Sequence, residues 1–256
     1  MSLFGSPGWG TAAVLLGVAV LTWALSRVAT DRAVHQVDAL RPEPLPVPRI
    51  ALQPIVDLGT RREIAVEALS RFGDRCPTEV FAEAHRNGAG AELEALALRG
   101  AFEHRAPGRV LSVNVSLPAL LSPQVREVLP ANLHGIILEI TEYTDVEDEP
   151  AVVALMEELR ARGARIAVDD WGTGYSNLDR VLRLRPEVVK VDVSLVQHLD
   201  SPYFHAAVRA VMSWADEVGA SVCAEGIETE AQWQAAQELG VHTGQGYLFG
   251  RPVVPA

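Results

Sequence analysis

The sequence predicts an α/β fold closed into a barrel, on three observations. First, short apolar runs repeatedly end on a polar or ionisable residue. They are "IAVE" at Glu67, "VLSVN" at Asn114, "IILE" at Glu139, "RIAVDD" at Asp169 and Asp170, "VVK" at Lys190 and "SVCAE" at Glu225. Second, stretches such as "EPAVVALMEELRARG" and "SPYFHAAVRAVMSWADEVG" lie between these runs, with apolar residues at helical spacing and Pro, Ser or Gly at their ends. Third, six polar strand ends need closure or a deep crevice to meet, and a βα barrel gathers its strand C-termini around a single mouth. At 256 residues and 48% hydrophobic, the chain can bury the core of one such large domain.

In chain order, the first element is an apolar one. No charged side chain occurs from Met1 to Ser26, and "TAAVLLGVAVLTWALS" with its uncharged flank is long enough to cross a hydrocarbon layer. A transmembrane helix is expected over about Trp9 to Ala29 within an anchor of residues 1–30. A cleaved signal peptide is the alternative, although "MSLFGSPGWG" lacks the basic region such a signal carries. Arg27 and Arg32 follow the span and no Lys or Arg precedes it, which places the remainder in the cytoplasm, on a single-pass inner-membrane protein. Residues 31–48 read as a linker, because "DALRPEPLPVPR" holds four prolines that remove helix donors and favour extension. The catalytic or binding domain is expected over 49–256.

Charge and residue type narrow the chemistry. A net charge of −11 argues against a grip on duplex nucleic acid. Cys76 and Cys223 stand apart without zinc spacing and read as free thiols, and seven scattered histidines give no HExxH, so most should lie at the surface. The loop "GTGYSN" has Asn177 where a dinucleotide-binding fingerprint needs its third glycine, and the two aspartates before it would repel a pyrophosphate. Gly172 and Gly174 suit a mobile active-site loop instead. Carboxylates and an amide gathered at one mouth concentrate negative charge, and hard divalent cations relieve it. Mg²⁺ and Mn²⁺ accept Asp, Glu and Asn oxygens, and adjacent Asp169 and Asp170 can serve two ions in a phosphoryl displacement.

Taken together, the motifs resemble the EAL-domain family of cyclic di-GMP phosphodiesterases, from about Ile50 to Pro255. "LQPIVDL" precedes "EALSR" at Glu67 to Arg71, followed by "NVS", "EITE", "DDWGTGYSNL", "KVD", "AEGIE" and "QGYLFGRP". The resemblance implies a (βα)8 TIM-type barrel with an antiparallel first strand, hydrolysing cyclic di-GMP to linear pGpG with two Mg²⁺ or Mn²⁺ ions; Ca²⁺, with its longer and more variable coordination, is expected to inhibit. By the same likeness Glu67, Asn114, Glu139, Asp169, Asp170 and Glu225 hold metal, with Asp169 bridging. Lys190 and Glu225 orient or deprotonate the attacking water, with Gln245 assisting, and the base is left open among Lys190, Glu225 and a bridging hydroxide. Gln53, Leu69 and Arg71 match substrate-contacting positions, while Glu142 and Glu228 support the loop and site. Homodimerisation is implied by resemblance alone. Trp171 and Ser70 depart from the family's usual residues, and the segment from Cys76 to Gly90 is compact. The alternative function is a non-catalytic cyclic di-GMP receptor signalling through its anchor or a partner.

Overall fold

The computed structural model describes residues 44–141, 149–171 and 182–255. The proposed anchor and most of the linker therefore lie outside the described residues, as do Glu142 and the glycine loop after Trp171. Among the described residues no helix is long and apolar enough to cross a membrane.

Eight strands form a closed barrel in sequence order: β1 (Arg49–Asp57), β2 (Glu63–Arg71), β3 (Val110–Val115), β4 (Ile136–Ile140), β5 (Arg165–Trp171), β6 (Val188–Val191), β7 (Ser221–Ala224) and β8 (Thr243–Gln245). β1 runs antiparallel to both β2 and β8, and every other neighbouring pair is parallel. Closure leaves no exposed sheet edge. The helices among the described residues are α1 (Pro77–Arg86), α2 (Gly90–Phe102), α3 (Leu117–Leu121), α4 (Pro123–Val128), α5 (Glu149–Ala161), α6 (Val193–Val196), α7 (Pro202–Val218) and α8 (Glu230–Glu238).

Local chemistry sets several boundaries. α7 starts on Pro202, whose missing N–H needs no partner there, and stops at Gly219, which takes a left-handed φ of 73°. α8 opens with a capping box: the Gln232 N–H donates to Thr229 Oγ1 and the Thr229 N–H donates to Gln232 Oε1. Strand alternation then divides the core. Residues such as Leu111, Leu138 and Ile166 face outward onto Leu98, Leu120 and Leu159 of the surrounding helices and connections. A second cluster joins Val189, Val191 and Val222 to Val208, Met212 and Ala236. Inside the barrel is a smaller group: Ile55, Ala65, Ile137, Ala167, Val188 and Cys223.

Two sequence expectations meet the structure directly. Both cysteines are free, Cys76 exposed and Cys223 buried. None of the six described histidines is buried. One expectation is corrected: Glu67 does not end its strand. β2 continues to Arg71 because it pairs with the antiparallel β1 along its whole length, from Val56↔Glu63 to Arg49↔Arg71. Glu67 sits midway, opposite Gln53.

Candidate active site

Inward-facing positions recur every second residue along a strand. The register therefore sets Glu67 beside Ser112, Asn114 beside Glu139, Glu139 beside Ala167, and Lys190 beside Cys223. Glu225 follows β7, its backbone N–H donating to the Val191 carbonyl at 3.0 Å. Gln245 closes the ring at the end of β8, opposite Ile55.

Asp169 and Asp170 break the alternation. Adjacent strand residues ordinarily face opposite sides, yet oxygen atoms of Asp169, Asp170 and Glu225 all lie within 4.8 Å of one another. The reason is local: the β5–β6 register shifts between Val168 and Trp171, and Asp170 takes a φ of 56°. A bulge re-aims side chains, and Asp tolerates the left-handed region better than most residues. The Asp170 N–H donates to Asp169 Oδ1 at 3.0 Å, which fixes the pair.

Lys190 stands at the centre of the cluster. Its Nζ lies 2.6 Å from Glu139 Oε2, 2.7 Å from Glu225 Oε1, 3.5 Å from Glu67 Oε2 and 3.6 Å from Asp169 Oδ1. Glu67 also accepts from Asn114 Nδ2 and from Gln245 Nε2, each at 2.6 Å. Gln245 Nε2 further donates to Gln53 Oε1 at 2.9 Å, and Gln53 Nε2 donates to the Gly250 carbonyl at 3.1 Å. Ser112 donates its hydroxyl to Glu139 Oε1. Ser112 was not singled out from sequence, although its place two residues before Asn114 put it on the same face.

The charges do not balance. Among the described residues four carboxylates approach one ammonium. Burial raises Glu139 well above the usual carboxylate range and Glu67 adds to the effect, against the opposing pull of Lys190. Burial likewise pushes Glu225 up to about 8, opposed by Lys190 and reinforced by Asp169 and Glu67. For Lys190 burial favours the neutral amine, but Glu139, Glu225, Glu67 and Asp169 together outweigh it and hold the ammonium well above its ordinary value. Burial raises the acids first and their neighbouring carboxylates add to it, while the same carboxylates hold the proton on Lys190.

That imbalance tests whether the residues fit a divalent ion. The donor set is oxygen only, from carboxylates and amides, as Mg²⁺ and Mn²⁺ require. Among the described residues Gln245 Oε1 is buried with no hydrogen-bond partner, so an acceptor at the cluster is left over. Both observations fit bound cations with their water.

From the cluster a cleft of about 570 Å³ runs past Asn114, Asp169 and Asp170 to Leu69 and Arg71, and on to Phe81 and His85 of α1. Arg71 is half-buried and donates from Nη1 to the Ser70 carbonyl at 2.8 Å. Below this cleft, buried Glu94 accepts from the Ser116 N–H and hydroxyl, both at 2.7 Å, and lies 2.9 Å from His85 Nε2, tying α1 and α2 to the end of β3. Sequence reading passed over these three, which are scattered along the chain. Glu228 is exposed beyond β7, its backbone N–H on Gln232 Oε1 at 2.8 Å. Gln53, matched to a substrate position, is buried beside Gln245 rather than on the cleft's rim.

A family model of the EAL domain matches residues 49–252. The cyclic di-GMP phosphodiesterase PA2567 of Pseudomonas aeruginosa is 34% identical over 225 residues, covering 80% of this chain and 38% of that protein. The probable cyclic di-GMP phosphodiesterase PdeB of Escherichia coli is 29% identical over 217 residues, 78% of this chain and 41% of that protein. The chain thus spans about two-fifths of the length of these two relatives. The structure of PaMucR phosphodiesterase in complex with c-di-GMP aligns at a TM-score of 0.70 and 29% identity, covering 81% of this chain and 92% of that one. Klebsiella pneumoniae BlrP1 in its manganese/cy-diGMP complex at pH 9.0 aligns at 0.68 and 30%, covering 81% and 56%. On the family match and the barrel with its ordered motifs, the chain belongs to the EAL-domain family.

Proposed function

We propose that this chain is a divalent-metal-dependent phosphodiesterase that hydrolyses cyclic di-GMP to linear pGpG and so lowers the level of that second messenger. The observation that carries the reading is the set of Glu67, Glu139, Asp169 and Glu225 around Lys190, opening into a cleft flanked by Arg71. Relatives named as cyclic di-GMP phosphodiesterases support the substrate, and neighbours solved with cyclic di-GMP and manganese or calcium support the class of ion.

Glu67, Asn114, Glu139, Asp169, Asp170 and Glu225 would hold two Mg²⁺ or Mn²⁺ ions. When bound, such ions lower the pKa of water and offset charge developing on the phosphate. The protein's own groups do the rest. Lys190, fixed between Glu139 and Glu225, orients the attacking water, and Glu225, 2.7 Å from Lys190, is placed to accept the water's proton. The partnerless oxygen of Gln245 offers that water an acceptor. Water adds to phosphorus, the bond to a ribose 3′-oxygen breaks, and that oxygen leaves with a proton. Arg71 presents a guanidinium for the phosphate, with Leu69 beside it. Gln53 acts through Gln245, and Glu142 and Glu228 support the loop and the site.

The uncharged N-terminal run with Arg27 and Arg32 behind it supports a single-pass anchor that holds the barrel on the cytoplasmic side of the inner membrane. Homodimerisation rests on family likeness. The deciding experiment incubates the full chain with cyclic di-GMP and Mg²⁺ and follows pGpG by chromatography. pGpG forms, chelation stops it, and Ca²⁺, whose bonds to oxygen are longer at about 2.3 to 2.6 Å, permits binding while suppressing turnover. Binding without turnover in Mg²⁺ or Mn²⁺ would instead make the chain a receptor. Full activity after exhaustive chelation would overturn the metal requirement.

A further inference from the structure

The interior of a (βα)8 barrel is ordinarily filled by layers of side chains in which bulky branched residues dominate. Beneath the carboxylate cluster this barrel is filled sparsely. Ala65, Ala167 and Cys223 supply three of the inward positions, facing Ile55, Ile137 and Val188. Ser112 and Thr243 add only small side chains. The shortfall leaves a cavity of about 260 Å³. Its inner wall is formed by Glu139 and Lys190, and Ile64, Ser221 and Arg165, near the starts of their strands, line its outer end. Ile64 and Arg165 are both exposed, so the cavity opens at the end of the barrel opposite the cleft.

Packed interiors rarely hold voids larger than a water molecule, and an apolar cavity of about 150 Å³ already admits benzene. We propose that the N-terminal end of the barrel is a second binding site, for a small monocarboxylic acid with an apolar, aromatic body of roughly ten non-hydrogen atoms. The polar groups deep in the cavity are already engaged, and Ser221 stands at its outer end. Ser112 donates to Glu139, Thr243 Oγ1 donates to the Val222 carbonyl at 3.4 Å, and Lys190 is held by Glu139 and Glu225. The part of the ligand that enters is therefore apolar and rests against Ala65, Ile137, Ala167 and Val188. Its carboxylate stays at the mouth, where Arg165 offers a guanidinium. Of the other charges near this end, Glu63 pairs with Arg109 at 3.2 Å and Glu187 with Arg160 at 2.6 Å. An occupant touches the same Glu139 and Lys190 that floor the candidate active site, from their opposite side.

The test titrates the full chain with phenylacetate, and with toluene as the neutral probe, reading heat of binding and melting temperature. Phenylacetate is expected to bind and to raise the melting temperature. Arg165→Ala weakens phenylacetate by about threefold, the scale of an exposed ion pair, and leaves toluene unchanged. Ala167→Leu fills the void and abolishes binding of both. Should that variant not fold, Ala65→Val narrows the same space and weakens both probes by about fivefold or more. Absence of phenylacetate binding to the folded parent, or binding that is as tight in the folded filling variants, overturns the site. Toluene binding without phenylacetate binding overturns the carboxylic-acid assignment.

Discussion

At the mouth of the barrel the inward positions are Glu67, Asn114, Glu139, Asp169, Lys190 and Gln245. Two residues nearer the opposite end of the same strands they are Ala65, Ser112, Ile137, Ala167, Val188 and Thr243. One strand repeat, about 6 to 7 Å, separates an ion cluster from an apolar cavity. Among the described residues the mouth gathers four carboxylates around one ammonium, and the far end carries no charge of its own on the inward layer above its rim. The contrast shows how the fold keeps buried charge from collapsing into its core: an apolar layer lies directly beneath it, and the strands, hydrogen-bonded all round, hold the carboxylates apart.

The largest effect that would break this comparison is chemical. Glu225→Gln keeps shape and removes one carboxylate, so turnover of cyclic di-GMP should fall by about 10²- to 10⁴-fold while affinity changes little. Turnover within a factor of a few of the parent would remove Glu225 from proton transfer.

Next comes stability at the mouth. Lys190→Met leaves the carboxylates without their ammonium and should destabilise the metal-free protein by about 3 to 5 kcal/mol in denaturant unfolding. Mn²⁺ should restore more stability to the variant than it adds to the parent. A loss no larger than that of an ordinary surface substitution would show that the cluster does not depend on Lys190.

Acidity follows from the burial of the same cluster. Glu225 is raised to about 8 in the folded chain from 4.5. The native state therefore holds a proton that the unfolded chain gives up over that interval. Its contribution is fully present below pH 4.5 and is lost as pH rises to about 8, and the raised Glu139 acts in the same direction. Melting of chelated protein across this range should show the decline, and saturating Mn²⁺ should flatten it. A metal-free melting temperature that rises over the interval would contradict the raised pKa of Glu225.

The smallest effect belongs to the far end. Ile137 is buried but borders the cavity, so Ile137→Val should cost about 0.5 to 1.5 kcal/mol in chemical denaturation and leave turnover unchanged. A large loss of turnover with intact folding would mean that the apolar layer also positions Glu139.

The sequence by itself determined the alternation of strand and helix, because apolar periodicity and the Pro, Ser and Gly signals at helix ends are local. It also marked Asn114, Glu139, Asp169, Asp170, Lys190 and Glu225, because each ends an apolar run. Likeness to a family, not periodicity, supplied the antiparallel first strand and the place of Gln245. Only the tertiary structure decided the rest. Glu67 lies mid-strand because its partner is the antiparallel β1. Asp169 and Asp170 share a face because β5 bulges against β6. Lys190 meets four carboxylates from four other strands or strand ends, and Ser112 reaches Glu139, because the register of neighbouring strands brings them together. The cavity at the far end likewise exists only as the sum of small residues on separate strands. Register and closure are long-range properties: each joins residues tens of positions apart, and no local pattern along one strand encodes which side chain on the next will stand beside it.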